Sequence, residues 1–441
     1  MTLLDLFSSA RSGSAARLDF AIWPRDSHYD AAGRIVVGGV PLAEIADQFG
    51  TATRVLDERE VRDRCRAYVR AFPEAEIIYA GQALLVRAVA DWVTAEGLSM
   101  DVGSSGELAI ALAAGVHPKR IILHGYGNPD ALQTAVECGV GRIVVGSFAE
   151  IDLLAAMTTR PQRVLLRLSP GIDIHGNSTN PPKAGQQYGF PLDAAAAATE
   201  RIVAQPMLDL IGFHCHLGSQ IYNPDYYGEA IRRMVGEMAQ IRHDHGRILT
   251  DLDLGGGHAI AYRCGDAEMN LTELAAIVED ALDAACARHR FPRPNIALEP
   301  GRAIVARAGV TLYRVRSVQR LHNGHNFVVV DGGRCDRPQG PRDGARANMV
   351  VVNRYSTGPE VTATVACHTG SAEEILATGV RLPADLRAGE VLAAPCTGAY
   401  QYNSAISDHS APRTPIIAVG KGRCQELGYR EDADLLDRDA G

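Results

Sequence analysis

Four short stretches hold the residues best suited to chemistry: "DVGSSGE" at 101–107, "HCHLGSQ" at 214–220, "LGGG" at 254–257 and "EPGR" at 299–302. Gly255, Gly256 and Gly257 carry no side chains, so their backbone N–H groups can approach an anion closely, as a phosphate requires. Arg302 adds a charge-assisted contact to the same anion. Glu299 lies in a strand-like stretch, and a carboxylate buried there must find a partner or take up a proton. A protonated ring nitrogen is such a partner, and His216 is suited to stack on a flat ring. Each signal also has a plainer explanation. Three glycines make a tight turn, and a strand histidine serves as a hydrogen-bonded core residue.

The elements that position these groups decide between the two. Eight β-like runs recur between about residues 77 and 303: "IIYA", "LSMDV", "RIILHG", "RIVVG", "VLLRLSPG", "LIGFHCHLG", "LDLGGG" and "NIALEPGRA". Most are continuous apolar runs, as expected of strands buried on both faces. Between them lie helical patterns such as "ALLVRAVADWVTAEG", "GELAIALAAG" and "LTELAAIVEDALDAACARH", the first two ending at Gly. Eight strands alternating with helices predict a (β/α)₈ barrel, with a doubly wound open sheet as the rival. In such a barrel the carboxyl ends of the strands face the active site, and the four polar stretches fall at the ends of different strands. Phosphate cradle, ring-nitrogen partner and stacking surface in one place describe pyridoxal 5′-phosphate, whose chemistry needs an electron sink held flat.

Beyond residue 305 the pattern changes. "VTLYRVRSVQRL", "NFVVVDGG", "EVTATVACH" and "TPIIAVG" read as strands of a β-domain. The segment 1–52, with a strand-like "GRIVVGGVPL" and a helix around "LAEIADQFG", is expected to join that domain. This gives 1–52 as a contributor to the β-domain, 53–305 as the barrel and 306–441 as the β-domain proper. The stretch "IHGNSTNPPKAGQQ" reads as a mobile loop near the barrel mouth.

The 441 residues carry a net charge of −8, which argues against a nucleic-acid surface. No run of about 18 apolar residues suggests a membrane span. The start has Asp5 and no apolar core long enough for a secretory signal. Nine scattered cysteines without CxxC spacing fit neither a disulfide framework nor a zinc ribbon, so a reducing cytoplasm and no metal are expected. Of the 44 basic residues only Lys119, Lys183 and Lys421 are lysines.

Taken together, "YAGQAL", "DVGSSGE", "GFHCHLGSQI", "LDLGGG", "EPGRAIVARAG", "VVDGG", "CHTGS" and "TGAY" resemble, in order, the motifs of the fold-type III pyridoxal-phosphate decarboxylases. This is the ornithine, diaminopimelate and arginine decarboxylase family, and the likeness is greatest to its diaminopimelate branch. The resemblance implies an alanine-racemase-type barrel, decarboxylation of an amino-acid substrate and a homodimer with shared active sites. It implies that His216 stacks on the cofactor ring and that Ser219 and Gly257 hold the phosphate. Gly301, Arg302 and Tyr400 join that cofactor shell, and Glu299 pairs the ring nitrogen. Asp101, Glu107 and Arg167 fall in the cofactor neighbourhood. Cys367 matches a cysteine that reaches across the dimer interface to help protonate the product carbon. Packing roles remain open to Tyr400 and Cys367.

The departures are as informative. Where the family has the lysine that forms the Schiff base, this chain has Gln82, whose carboxamide nitrogen is not nucleophilic enough for that bond. The substitution reads either as a trap for a bound complex or as natural divergence. His368 stands where the family reads its substrate with a glutamate, Ser371 replaces an acidic residue, and "HGYGN" replaces HGNNK; Arg337 and Arg413 remain as substrate candidates. Without the glutamate's charge a distal ammonium loses its partner, so a substrate other than meso-diaminopimelate is expected. The alternatives are a non-decarboxylating binder of pyridoxal phosphate or another phosphate ligand, and cofactor-independent chemistry using His216, His368 and Cys367.

Overall fold

The computed structural model describes residues 18–174, 188–321, 326–332, 348–367, 375–402 and 414–428. All eight expected barrel strands are present: β1 Glu76–Ala80, β2 Ser99–Val102, β3 Ile121–His124, β4 Arg142–Val145, β5 Gln162–Ser169, β6 Leu208–His214, β7 Asp251–Asp253 and β8 Asn295–Leu298. Each pairs in parallel with its neighbour, β8 pairs with β1 and β4 with β5, so the sheet closes. Closure rejects the open-sheet rival.

Helices follow the strands, and several start where the sequence offers a cap. Ser104 accepts from the Glu107 N–H at the head of Ser105–Ala113, and Asn270 accepts from Thr272 and Glu273 at the head of Leu271–His289. The expected helix over 83–97 is shorter, Arg87–Ala95, because Gly81–Ala83 forms a 3₁₀ turn that carries Gln82 out of β1.

The interior of the barrel is layered. Ile78, Ile122, Val144, Leu165, Ile211 and Ala297 form a separate apolar cluster supplied by six of the strands. At the amino ends lies a charged layer, in which Arg142 meets Glu76 at 2.5 Å and Ser99 donates to Glu76 at 2.6 Å. A cavity of about 380 Å³ opens there, and Lys119 is on its wall. At the carboxyl ends lie Asp101, His124, Arg167, His214 and Glu299, all buried. Burial of so many ionisable groups is costly unless they pair. They mark the functional end.

The second domain is a β-sheet, as expected, built on the long strand Gly309–Arg320 with Asn326–Val330, Glu360–Cys367, Ile375–Pro383 and Val391–Pro395. Its boundary differs from the expectation. Thr53–Asp57 pairs antiparallel with Gly309–Arg320 and parallel with Ile416–Gly420, so this strand belongs to the β-domain and not to the barrel. Its five residues are all buried, the same both-face burial as a barrel strand, which is why sequence pattern placed the boundary too early. Upstream, the Ile35 N–H donates to the Val352 carbonyl, tying the first segment to the same domain. Among the described residues no helix is long and apolar enough to cross a membrane.

A candidate cofactor site at the carboxyl ends of the barrel strands

A cavity of about 260 Å³ opens where β1, β6 and β8 end, and Gln82, His216, Ser219, Gly256, Gly257, Glu299, Gly301, Arg302 and Tyr400 all line it. Nine of the expected site residues therefore share one wall system, drawn from both domains.

The glycine loop has the geometry an anion cradle requires. Gly255 and Gly257 have φ of +66° and +97°, and a Cβ on Gly257 would overlap the Gly218 carbonyl oxygen. A Cβ on Gly256 would overlap the Glu299 carbonyl. Gly255 does not line the cavity; it donates to Asp253 Oδ1 at 2.9 Å and anchors the loop from behind. Gly301 is needed for packing, because an added Cβ would sit 3.0 Å from both Ala80 and Ala83.

Arg302 donates to the Tyr262 hydroxyl, approaches Ser219 Oγ at 3.5 Å and lies with its guanidinium carbon 4.6 Å from the Tyr400 ring centroid. Tyr400 adopts a left-handed backbone (φ 62°) and donates its N–H to the Ala83 carbonyl at 2.7 Å. The β-domain is thereby pinned beside the Gln82 turn. Gln82 itself is exposed to the cavity. Lys119 is at the opposite mouth, Lys421 is in a β-domain turn, and Lys183 lies outside the described residues. Neither described lysine lines the cavity.

His216 is half-buried on the wall, and burial followed by the Arg167 charge lowers it to about 4. It is a neutral imidazole at physiological pH, suited to lie against an aromatic ring.

Glu299 is already paired within the chain. Its partners within the chain are two histidines that the candidate set lacked: His124 Nε2 at 3.0 Å from Oε1 and His214 Nε2 at 3.2 Å from Oε2. Burial pushes the carboxyl up, yet the two imidazoles outweigh it and hold Glu299 well below the usual carboxylate range. Both histidines end strands whose motifs were already in view, "RIILHG" and "HCHLG"; inward alternation along each strand was the available signal. Tyr262 and His258 were also missed, since nothing in the local pattern marks them.

Asp101, Glu107 and Arg167 stand beside the cavity without lining it. Asp101 Oδ1 is 3.6 Å from His124 Nε2, and burial raises its pKa to about 7. Glu107 accepts from the Gly103 N–H at 2.7 Å, fixing the β2 exit. Arg167 lies 6.0 and 5.7 Å from the ring centroids of Tyr126 and Tyr188. Cys367 ends a β-domain strand, is buried in that domain's own apolar cluster and lies off this cavity. His368, Arg337, Arg413 and Ser371 lie outside the described residues, as does 175–187, most of the expected mobile loop.

The donors fit pyridoxal 5′-phosphate. A glycine cradle with an arginine suits a phosphate ester, an ionised carboxylate suits a pyridinium, and a neutral imidazole suits a ring face. Asp101 Oδ1 and His124 Nδ1 are buried beside the site without hydrogen-bond partners. A barrel with these groups at its carboxyl mouth, completed by a tyrosine from a β-domain, defines a pyridoxal-phosphate enzyme of the alanine-racemase barrel type.

Known proteins agree. The chain matches the family described as pyridoxal-dependent decarboxylase, pyridoxal binding domain, over residues 58–306. It is 43% identical over 444 residues, covering both chains in full, to a diaminopimelate decarboxylase of Actinosynnema pretiosum. A diaminopimelate decarboxylase of Mycobacterium tuberculosis is 35% identical, with 94% of this chain and 96% of that protein covered. Among solved structures, a protein of Aquifex aeolicus superposes with TM-score 0.84 at 27% identity, over 94% of this chain and 97% of that one. A diaminopimelate decarboxylase of M. jannaschii in complex with L-lysine superposes with TM-score 0.86 at 23% identity, over 94% and 98% of the two chains, a likeness of fold. The chain belongs to the pyridoxal-dependent decarboxylase family, and its relatives are diaminopimelate decarboxylases, carboxy-lyases that use pyridoxal 5′-phosphate.

Proposed function

We propose that this chain holds pyridoxal 5′-phosphate by non-covalent contacts alone and serves decarboxylation of an amino acid other than meso-diaminopimelate. The observation that carries this reading is Gln82 in the cavity wall, with neither described lysine near it. Gly256, Gly257, Ser219, Arg302 and Tyr400 would hold the phosphate, His216 the ring face and Glu299 the ring nitrogen. When bound, the group supplies an electron sink for the pair that a departing carboxylate leaves behind. Gln82 donates and accepts hydrogen bonds but offers no nucleophilic amine. Arg167, His368, Arg337 and Arg413 are the side chains offered to the substrate, and Tyr126, where the family carries asparagine, narrows that side with an aromatic ring. Cys367, buried away from its own chain's cavity, is consistent with a role supplied across a homodimer.

Gln82 also favours a second reading, a cofactor-binding relative without turnover. One experiment separates the two. The chain and its Gln82→Lys variant are mixed with pyridoxal 5′-phosphate, and visible absorbance, covalent attachment after borohydride reduction and carbon dioxide release from a panel of amino acids are recorded. Cofactor held by the unsubstituted chain without covalent attachment, together with release from some amino acid, supports the first reading. Cofactor retained by both without release supports the second. Efficient turnover of meso-diaminopimelate by Gln82→Lys rejects the altered substrate. Retention by neither rejects the cofactor.

A further inference from the structure

The deepest feature of the site is a chain of four ionisable side chains, each from a different strand or its end. Asp101 (β2), His124 (β3), Glu299 (directly after β8) and His214 (β6) are 5%, 4%, 6% and 0% exposed. His124 Nε2 faces Glu299 Oε1 at 3.0 Å and Asp101 Oδ1 at 3.6 Å, while His214 Nε2 takes the other Glu299 oxygen at 3.2 Å. The two imidazoles stand edge to face, with ring centroids 4.7 Å apart. A carboxylate has about four lone-pair sites, so Glu299 keeps capacity for a third donor from the cavity it lines.

We propose that His124 is the positioning residue for Glu299: an imidazolium between two carboxylates, it keeps Glu299 ionised and aimed at the ring nitrogen of a pyridoxal phosphate. The inference rests on the cofactor reading above. His214 differs from His124 in role. It holds the second oxygen as a neutral donor, because only His124 has a second carboxylate beside it. The other titratable groups facing His124 are Arg167 on β5, Asp253 on β7, whose carboxyl burial pushes well above the usual range, and Glu150 on the helix Phe148–Met157, with the Tyr126 ring 5.9 Å away. Arg167 opposes the positive charge on His124. The two carboxylates outweigh both that and burial, and hold the imidazole at about 9. His214 is lowered by burial to about 3. The chemical consequence is that Glu299 stays ionised at the ring nitrogen across the neutral pH range. In a chain without an amine at position 82, this contact carries a large share of the hold on the ring.

The test combines a spectrum and a binding cycle. Nitrogen NMR of the full chain labelled in its 14 histidines is recorded at pH 8, where an ordinary histidine is neutral. One histidine is expected to carry both ring protons, and its signal to vanish in His124→Gln; fourteen neutral imidazoles overturn the proposal without any variant having to fold. Affinity for pyridoxamine 5′-phosphate, which has no aldehyde, is then measured by fluorescence for the chain, His124→Gln, Glu299→Gln and the double variant. His124→Gln is expected to weaken binding by about tenfold or more alone and by less than about threefold in the Glu299→Gln background. Equal losses in both backgrounds, or no loss in the first, overturn it. If the unsubstituted chain does not bind the probe at all, the cofactor reading fails, and the spectrum still decides the charge on His124.

Discussion

Arg302 of the barrel and Tyr400 of the β-domain meet with guanidinium over ring, 4.6 Å from carbon to centroid. The contact brings a phosphate-binding cation and a β-domain aromatic to one end of the cavity, so ligand affinity depends on the seating of the two domains. Such a contact contributes roughly 1–2 kcal/mol where it is desolvated. Tyr400→Ala is therefore expected to weaken pyridoxamine 5′-phosphate binding about tenfold, and Arg302→Ala by more, since it removes the charge itself. Phosphate-free pyridoxamine should be indifferent to both. Fluorescence titration of the two ligands checks this, and equal losses for both would take Arg302 away from the phosphate.

Gly257 allows a sharper prediction. Its φ of +97° and the closeness of the Gly218 carbonyl leave no room for a methyl group. Gly257→Ala must push the loop away from Gly218 and carry the phosphate-binding N–H groups with it. We expect a stability loss of roughly 2–4 kcal/mol, read by urea unfolding, and loss of detectable cofactor binding. A variant of unchanged stability would show that the loop has slack.

The sequence made the barrel legible because most strands are apolar runs with both faces buried, and helices such as Ser105–Ala113, Pro129–Cys138, Phe148–Met157 and Leu271–His289 open on a residue that caps them. It made Gln82, His216, Glu299 and Arg302 legible because they sit within dense motifs at strand ends. It did not reveal that Glu299 has partners inside the chain. His124 and Glu299 are 175 residues apart, and only closure of the sheet brings β3 opposite β8. Tyr262 was invisible for the same reason: its contact with Arg302 spans a loop with no periodic pattern. The strand Thr53–Asp57 was assigned to the wrong domain because burial on both faces marks a central strand of either sheet.

The position of Cys367 yields a prediction about assembly. The thiol is buried in the β-domain cluster with Val365 and Leu376 and does not line its own chain's cavity. If it serves a neighbour's cavity, the chain must be at least a dimer. Sedimentation equilibrium at micromolar concentration should give twice the 47.2 kDa chain mass. A monomer at that concentration would leave Cys367 as a packing residue.

His258 gives a pH dependence whose sign is fixed. Its Nδ1 hydrogen-bonds the buried Tyr68 hydroxyl at 2.8 Å, and the ring packs against Tyr68 and Tyr227 with centroids 5.5 and 5.2 Å away. Burial, then the neighbouring His216 and Arg64, lowers it to about 3 in the folded chain. An unfolded histidine titrates near 6.5, so below that pH the unfolded chain binds a proton that the folded chain refuses. The stability that the neutral ring provides is complete above about pH 6.5. It declines by roughly 1.4 kcal/mol for each unit of acidification until the folded ring itself protonates. His258→Gln keeps a polar partner for Tyr68 but has no proton to refuse. Urea unfolding of the two proteins at pH 7.5, 6.5 and 5.5 should show the variant less stable by a margin that is largest at pH 7.5 and smaller by about 0.4 kcal/mol at pH 6.5, where an unfolded histidine is half protonated. At pH 5.5 it should have shrunk by roughly 1.4 kcal/mol relative to pH 7.5. A margin that stays level down to pH 5.5 would mean that the ring gains access to water or to a proton acceptor in the folded state.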